Sequence, residues 1–183
     1  ELLGVDSLRM LPCSLPPHRE ALSVSAEQRM AMLQLAVADY PQLVTDDIEL
    51  QRGGATYTID TLRQVRQQIG ADVPLYLCIG IDVLITLDSW QAWRQLTDYC
   101  HLVVSARPNY VLPTSGVLAD WINQHRCDDL PQLKQCSAGK LFLCDTTRLA
   151  ISSTQIRDKV KHSDTIDFLT PAAVVNYIHQ QNL

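Results

Sequence analysis

Basic residues are scarce in this chain: 15 lysines and arginines stand against 20 aspartates and glutamates, a net charge of -5. A protein that tracks a nucleic-acid backbone needs clustered Lys and Arg, so this deficit argues against a broad nucleic-acid footprint. Any phosphate bound here is expected to be small and locally held. No CxxC pair occurs among the 6 cysteines. Cys13, Cys78, Cys100, Cys127, Cys136 and Cys144 are scattered, several inside apolar strand-like runs, and read as buried free thiols of a reducing compartment. His125, Cys127, Cys136 and Cys144 fit no usual zinc spacing, so no protein-held metal is expected. With no signal peptide in view and no apolar run able to span a bilayer, the expectation is a cytoplasmic protein without a membrane partner. Internal repeats, low-complexity tracts and internal linkers are also missing.

What remains is the composition of a folded domain: 183 residues, 46% hydrophobic and 19% charged, enough for one core and short for two. The chain opens on what reads as a helix tail stopped by Gly4, then a strand at Ser7–Leu11. The stiff loop Pro12–Arg19 follows and carries His18 and Arg19. Ser25 with Gln28 forms a capping box for a helix whose Met30, Leu33 and Val37 share a face. A strand is expected from about Leu43 to Leu50, and a helix from Thr58 to Ile69 with Tyr57 and Thr58 at its entry. Leu75–Ile79 is an unbroken apolar run, as in a central parallel strand covered on both faces, and it ends at Gly80-Ile-Asp82. Trp90 and Trp93 open a helix reaching Tyr99. His101–Ala106 is a second buried strand stopping at Arg107-Pro108. A helix at Val117–His125 follows, then a polar connection and a strand at Lys140–Cys144.

Ile151-Ser-Ser-Thr-Gln-Ile-Arg157 reads as a helix start, Ser152 as N-cap and Gln155 completing a second capping box, with the helix running to about Val160. A last helix, Pro171–Gln181, turns Val174, Tyr177 and Ile178 inward. Strand and helix alternate nearly throughout, which predicts an α/β fold with a doubly wound, Rossmann-like parallel sheet.

In such a sheet, ligands bind beyond the carboxyl ends of the strands. The polar residues there are His18, Arg19, Gly80, Asp82, Arg107 and the run Ser152, Ser153, Thr154, Arg157. A helix start offers unpaired N–H groups and a partial positive charge, and here it adds three hydroxyls and a guanidinium, a grip for a polyphosphate. Each residue also has an ordinary reading: a solvated loop arginine, an N-capping Asp82, a core Trp90.

Pro16-Pro-His-Arg19, Gln28-Arg29, Tyr57-Thr58 with Thr61-Leu62, Ile79-Gly-x-Asp82-x-Leu84, Trp90, Arg107-Pro108, Ile151-Ser-Ser-Thr-x-Ile-Arg157 and Leu169-x-Pro-x-x-Val174-x-x-Tyr177-Ile178 occur in this order. Together they resemble the bacterial nicotinate-mononucleotide adenylyltransferases of the nucleotidyltransferase α/β superfamily, over the whole chain. The resemblance implies transfer of AMP from ATP to nicotinate mononucleotide, giving nicotinate adenine dinucleotide and pyrophosphate in NAD biosynthesis. It implies that Ser152, Ser153, Thr154 and Arg157 hold ATP phosphates and that Gly80, Asp82 and Arg107 line the nucleotide sites. Trp90 would stack on the pyridine ring, and Tyr57 and Thr58 would receive its carboxylate through backbone N–H groups. His18 and Arg19 would bring positive charge to the phosphates, with His18 and Arg157 neutralising charge in the transition state. Mg²⁺ would ride on the substrate phosphates; a homo-oligomer is left open.

The family's opening strand and Gly-Gly-x-Phe-Asp-Pro-x-His-x-Gly-His loop have no counterpart here, so the expectation is a longer polypeptide whose first strand and histidine loop precede Glu1. Cys13-Ser14 and Gln91 also depart from the family pattern. The alternatives are an adenylyltransferase acting on nicotinamide mononucleotide or phosphopantetheine, or a nucleotide-binding module without catalysis.

Overall fold

Among the described residues every strand pairing is parallel, and each successive pair of strands within a sheet is joined through at least one helix. The computed structural model describes residues 2–12, 24–106, 110–144 and 151–183. Pairing divides the strands between two sheets, and the chain falls into two compact units, Tyr57–Ala150 and Glu1–Thr56 with Ile151–Leu183. The α/β class with parallel sheets is as the alternation of elements predicts.

The middle unit is built on a sheet of order β3-β4-β5, with β3 at Tyr76–Gly80, β4 at His101–Ser105 and β5 at Leu141–Cys144. The most buried strand is β4, with His101–Val104 buried and Ser105 half-buried. Among the described residues β3 pairs with β4, and it leaves Cys78 exposed, unlike the strand covered on both faces that was expected. Helix α3 (Thr58–Ile69) has the predicted bounds and turns Ile59, Leu62 and Val65 inward, the spacing of one helical face. Helix α6 (Val117–His125) adds Leu118, Trp121 and Ile122 to the same core. Trp93 meets Trp121 edge-on at 5.2 Å, an arrangement worth about 0.5–1.5 kcal/mol beyond area burial.

Between β3 and β4 the structure differs from the single helix expected. Short turns follow one another: α4 (Ile81–Leu84), 3-10 turns at Leu87–Ser89 and Trp93–Gln95, then α5 (Leu96–Tyr99). The break falls at Ala92, whose φ of 50° is left-handed and cannot continue a helix. A short helix, α7 (Leu130–Lys134), lies where only a polar connection was expected; Pro131 in its first turn is compatible with a helix start.

The other unit pairs β1 (Leu8–Met10) with β2 (Leu43–Thr45), with α1 (Ala26–Val37) between them in sequence. The Ser25 and Gln28 capping box is formed in both directions. The α1 residues packed on the small core are Met32 and Ala36, one turn apart, rather than the Met30–Leu33–Val37 stripe. The strand expected to run to Leu50 ends at Thr45, and α2 (Ile48–Arg52) takes over. Asp46 accepts the Ile48 N–H at 3.0 Å and pairs with Arg9 at 3.0 Å, which turns the chain out of the sheet. Leu2–Gly4 is irregular rather than helical, with Gly4 at φ 62°. Helices α8 (Ser153–Lys161) and α9 (Ala172–Gln181) complete the unit. Val174, Val175 and Ile178 of α9 enclose Ile166, while Tyr177 is half-buried.

Three of the cysteines bear out the expectation of buried thiols: Cys100, Cys127 and Cys144. Burial pushes the Cys100 thiol up to about 12, so it stays protonated and donates to the Leu96 carbonyl. Cys78, exposed, and Cys136, half-buried, do not follow that expectation. Cys13 lies outside the described residues.

Candidate functional site

The three strands of the middle unit end level with one another: Gly80 is in register with Ser105, and Ser105 with Cys144. Beyond this carboxyl edge α/β proteins place their ligand groups. Gly80 is the N-cap of α4, with ordinary extended angles of φ -81° and ψ 157°, and Asp82 stands half-buried in the first turn. Asp82 is therefore not the cap of that helix, one of the ordinary readings open to it.

The entry of α3 faces the same edge. Near the opposite end of that helix, Arg66 donates to the carbonyls of Tyr99 and Ser137, residues that precede β4 and β5. The α3 C-terminus thus lies at the amino end of the sheet. A helix of 12 residues is about 18 Å long, so its start points to the carboxyl end. Tyr57 is the N-cap, extended at φ -113° and ψ 137°, and its side chain makes no capping bond. Thr58 is the first helical residue, and its N–H belongs to the set that no α-helix can satisfy internally. Asp60, the acid of the first turn, is drawn aside by Arg63 at 3.1 Å, which lessens its competition for the helix start.

Trp90 closes the Leu87–Ser89 turn, its N–H donating to the Leu87 carbonyl at 2.9 Å, instead of opening a helix. The indole is half-buried and rests on the larger core.

In the other unit, α8 begins as the sequence predicts. The Ser152 hydroxyl accepts the Gln155 N–H at 3.1 Å, the N-cap half of the expected box. Ser153, Thr154 and Arg157 are exposed, and the Arg157 guanidinium donates to the Thr154 hydroxyl at 3.2 Å. Three hydroxyls, the N–H groups of the first turn and one cation thus occupy a single helix end. The set suits anionic oxygens by both hydrogen bonding and charge. His18, Arg19 and Arg107 lie outside the described residues.

Residues 2–159 match the cytidylyltransferase-like family. The chain belongs to this family. Curated relatives of this cytidylyltransferase-like chain include the probable nicotinate-nucleotide adenylyltransferase of Aeromonas salmonicida, 39% identical over 183 residues, 100% of this chain and 85% of that protein. The protein of the same name from Serratia proteamaculans is 40% identical over 98% of this chain and 82% of its own length. The nicotinate-nucleotide adenylyltransferase of Salmonella typhimurium is 38% identical over 100% of this chain and 86% of its own. The resemblance read from the motifs is thereby borne out. Among solved structures, the Plasmodium falciparum nicotinic acid mononucleotide adenylyltransferase complexed with NaAD superposes with a TM-score of 0.71. It covers 98% of this chain and 82% of that one at 15% identity, a likeness of fold.

Sequence reasoning missed Ser105 in this cytidylyltransferase-like chain. It ends β4 at the carboxyl edge, half-buried, with its hydroxyl donating to the Ile79 carbonyl at 3.4 Å. The signal was present: a polar residue closing an apolar strand in register with Gly80.

Proposed function

We propose that this chain is a nicotinate-nucleotide adenylyltransferase: it joins the AMP moiety of ATP to nicotinate mononucleotide, forming nicotinate adenine dinucleotide and releasing pyrophosphate. The observation that carries this reading is identity of 38–40% across essentially the whole chain with relatives that bear this name. The open starts of α3 and α8 support it.

The reaction needs no protein nucleophile. A phosphate oxygen of the mononucleotide attacks the α-phosphorus of ATP, the new P–O bond forms, and the bond to the β-phosphate oxygen breaks. Both reactants are anions, so the chain's task is to hold them in line and neutralise their charge. In this reading Ser152, Ser153, Thr154 and Arg157 grip the ATP phosphates, and Gly80, Asp82 and Arg107 line the nucleotide sites. Trp90 stacks on the pyridine ring. The backbone N–H groups at Tyr57 and Thr58 receive the ring carboxylate. His18 and Arg19 add positive charge, and His18 and Arg157 take up the charge that develops on the transferred phosphoryl group. The donors on α8 are hydroxyls, N–H groups and a guanidinium, which suit phosphate oxygens and not a cation. Mg²⁺ would accordingly be held by the phosphates themselves and would offset their charge.

Initial rates with the acid and amide mononucleotides test the reading. The expected result is pyrophosphate release with ATP and nicotinate mononucleotide, at a higher kcat/KM than with the nicotinamide form. Equal use of both, or turnover only with phosphopantetheine, would contradict it.

A further inference from the structure

Trp90 and Trp93 are three residues apart, yet one indole lies half-open on the core and the other is buried within it. The chain achieves this in one tight turn. The Trp93 N–H donates to the Trp90 carbonyl at 3.3 Å, making Gln91 and Ala92 the central pair of a four-residue turn. Ala92 is at φ 50° and ψ 34°, while Gln91 is not among the residues of positive φ. A positive φ confined to the third position is the type II pattern, which favours Gly or Asn there. An alanine in this place is therefore strained. Its methyl group, however, is packed on the larger core, contact that glycine would forgo. The Trp90 peptide is tied on both sides, its N–H to Leu87 and its carbonyl to Trp93, and Leu87 and Trp93 are both buried. The Gln95 N–H closes the next turn on the Ala92 carbonyl at 2.9 Å.

We infer that Ala92 is a positioning residue for the pyridine nucleotide: the left-handed turn centred on it fixes the attitude of the Trp90 indole, and so sets the KM for the mononucleotide without entering the chemistry. This inference rests on Trp90 stacking on the pyridine ring, as proposed above.

A β-branched side chain is poorly tolerated at φ near 50°, whereas glycine adopts it freely. In the full-length enzyme, Ala92→Val is expected to raise KM for nicotinate mononucleotide about three- to tenfold, the size of a lost aromatic stack, with kcat and the KM for ATP held within about twofold. Ala92→Thr carries the same branch with less apolar bulk and repeats the test should the valine protein not fold. Ala92→Gly, which restores freedom at the turn, is expected to keep KM within about twofold of the parent. In a Trp90→Ala background, which itself raises KM, Ala92→Val should add nothing further, because both changes remove one interaction.

An unchanged KM in the valine and threonine proteins, with a raised KM in Trp90→Ala, would overturn the role of Ala92 and leave the stacking intact. An unchanged KM in Trp90→Ala would overturn the stacking and this inference with it. Parallel losses in kcat and KM that persist undiminished in the Trp90→Ala background would mark Ala92 as a packing residue only.

Discussion

His101 donates its Nε2–H to the Cys136 carbonyl at 2.8 Å while its Nδ1 accepts the Lys140 N–H at 3.1 Å. A backbone N–H can only donate, so the bond from Lys140 fixes the neutral tautomer with the proton on Nε2. The ring is fully buried and stacked on Tyr76 at 5.4 Å. Burial holds its pKa below the usual 6.5; the bond to Cys136 works the other way, and Arg66 and Lys140 add to the lowering. The folded state therefore binds this proton less readily than the unfolded chain. Its contribution to stability is full above about pH 6.5 and is lost as pH falls through the folded-state value. Chemical denaturation at pH 7.5 and pH 5.5 should show a drop in stability that shrinks in His101→Gln. An equal drop in both proteins would contradict it.

Arg66 fastens the amino end of the middle sheet. Its guanidinium donates to the carbonyls of Gly70 at 3.0 Å, Val73 at 2.6 Å, Ser137 at 3.0 Å and Tyr99. Arg66→Ala removes these bonds at once, though the Ser137 carbonyl keeps the Leu75 N–H and those of Gly70 and Val73 are open to water, and should cost about 3 kcal/mol. Lysine, a point donor without the planar fork, should recover less than half of that. Thermal or urea unfolding measures both, and a loss under about 1 kcal/mol for the alanine protein would rule the fastening out.

The long periodic elements were legible in the sequence. Helices α3 and α6 have the predicted bounds because their apolar residues recur at helical spacing, and β4 ends one residue short of its expected bound, its Leu102–Val104 centre apolar and buried. Illegible were the places where one backbone angle or one short polar side chain decides. Ala92 carries no turn signature, yet its positive φ divides the Trp90–Tyr99 stretch into separate turns. Asp46, by accepting the Ile48 N–H, turns the chain after Thr45, where β2 ends, although the following residues alternate like a strand. The apolar run of β3 suggested burial on both faces, but periodicity reports residue type and not which face is covered, so Cys78 was misplaced. At the candidate site, the start of α8 was legible because its N-cap serine is a side-chain signal, and that of α3 because its apolar periodicity begins at Ile59. Ser105 was passed over for the charged residue two places on.

The start of α3 gives a test that leaves every side-chain contact around it nearly intact. Proline is well accepted at the first helical position, and Tyr57 already has the extended backbone that a residue before proline prefers. Thr58→Pro removes one N–H from the expected carboxylate grip. KM for nicotinate mononucleotide should rise about three- to tenfold, as for one lost hydrogen bond to a charged group, with the melting temperature nearly unchanged. An unaltered KM would show that the carboxylate is held elsewhere.

On α8, the bond from Arg157 to the Thr154 hydroxyl keeps the cation over the helix start. Arg157→Ala should lower kcat/KM for ATP by about tenfold to a hundredfold, equivalent to about 1.5–3 kcal/mol of lost charge-assisted bonding. Steady-state kinetics at constant ionic strength would show it. A change under about twofold would remove Arg157 from the phosphate grip.

The most direct test follows the transferred atoms. With ATP labelled at its α-phosphate and nicotinate mononucleotide as acceptor, the account predicts that the label enters the dinucleotide in equal amount to the pyrophosphate released. Binding of both nucleotides with no label in a dinucleotide, or label recovered only as free AMP, would contradict it.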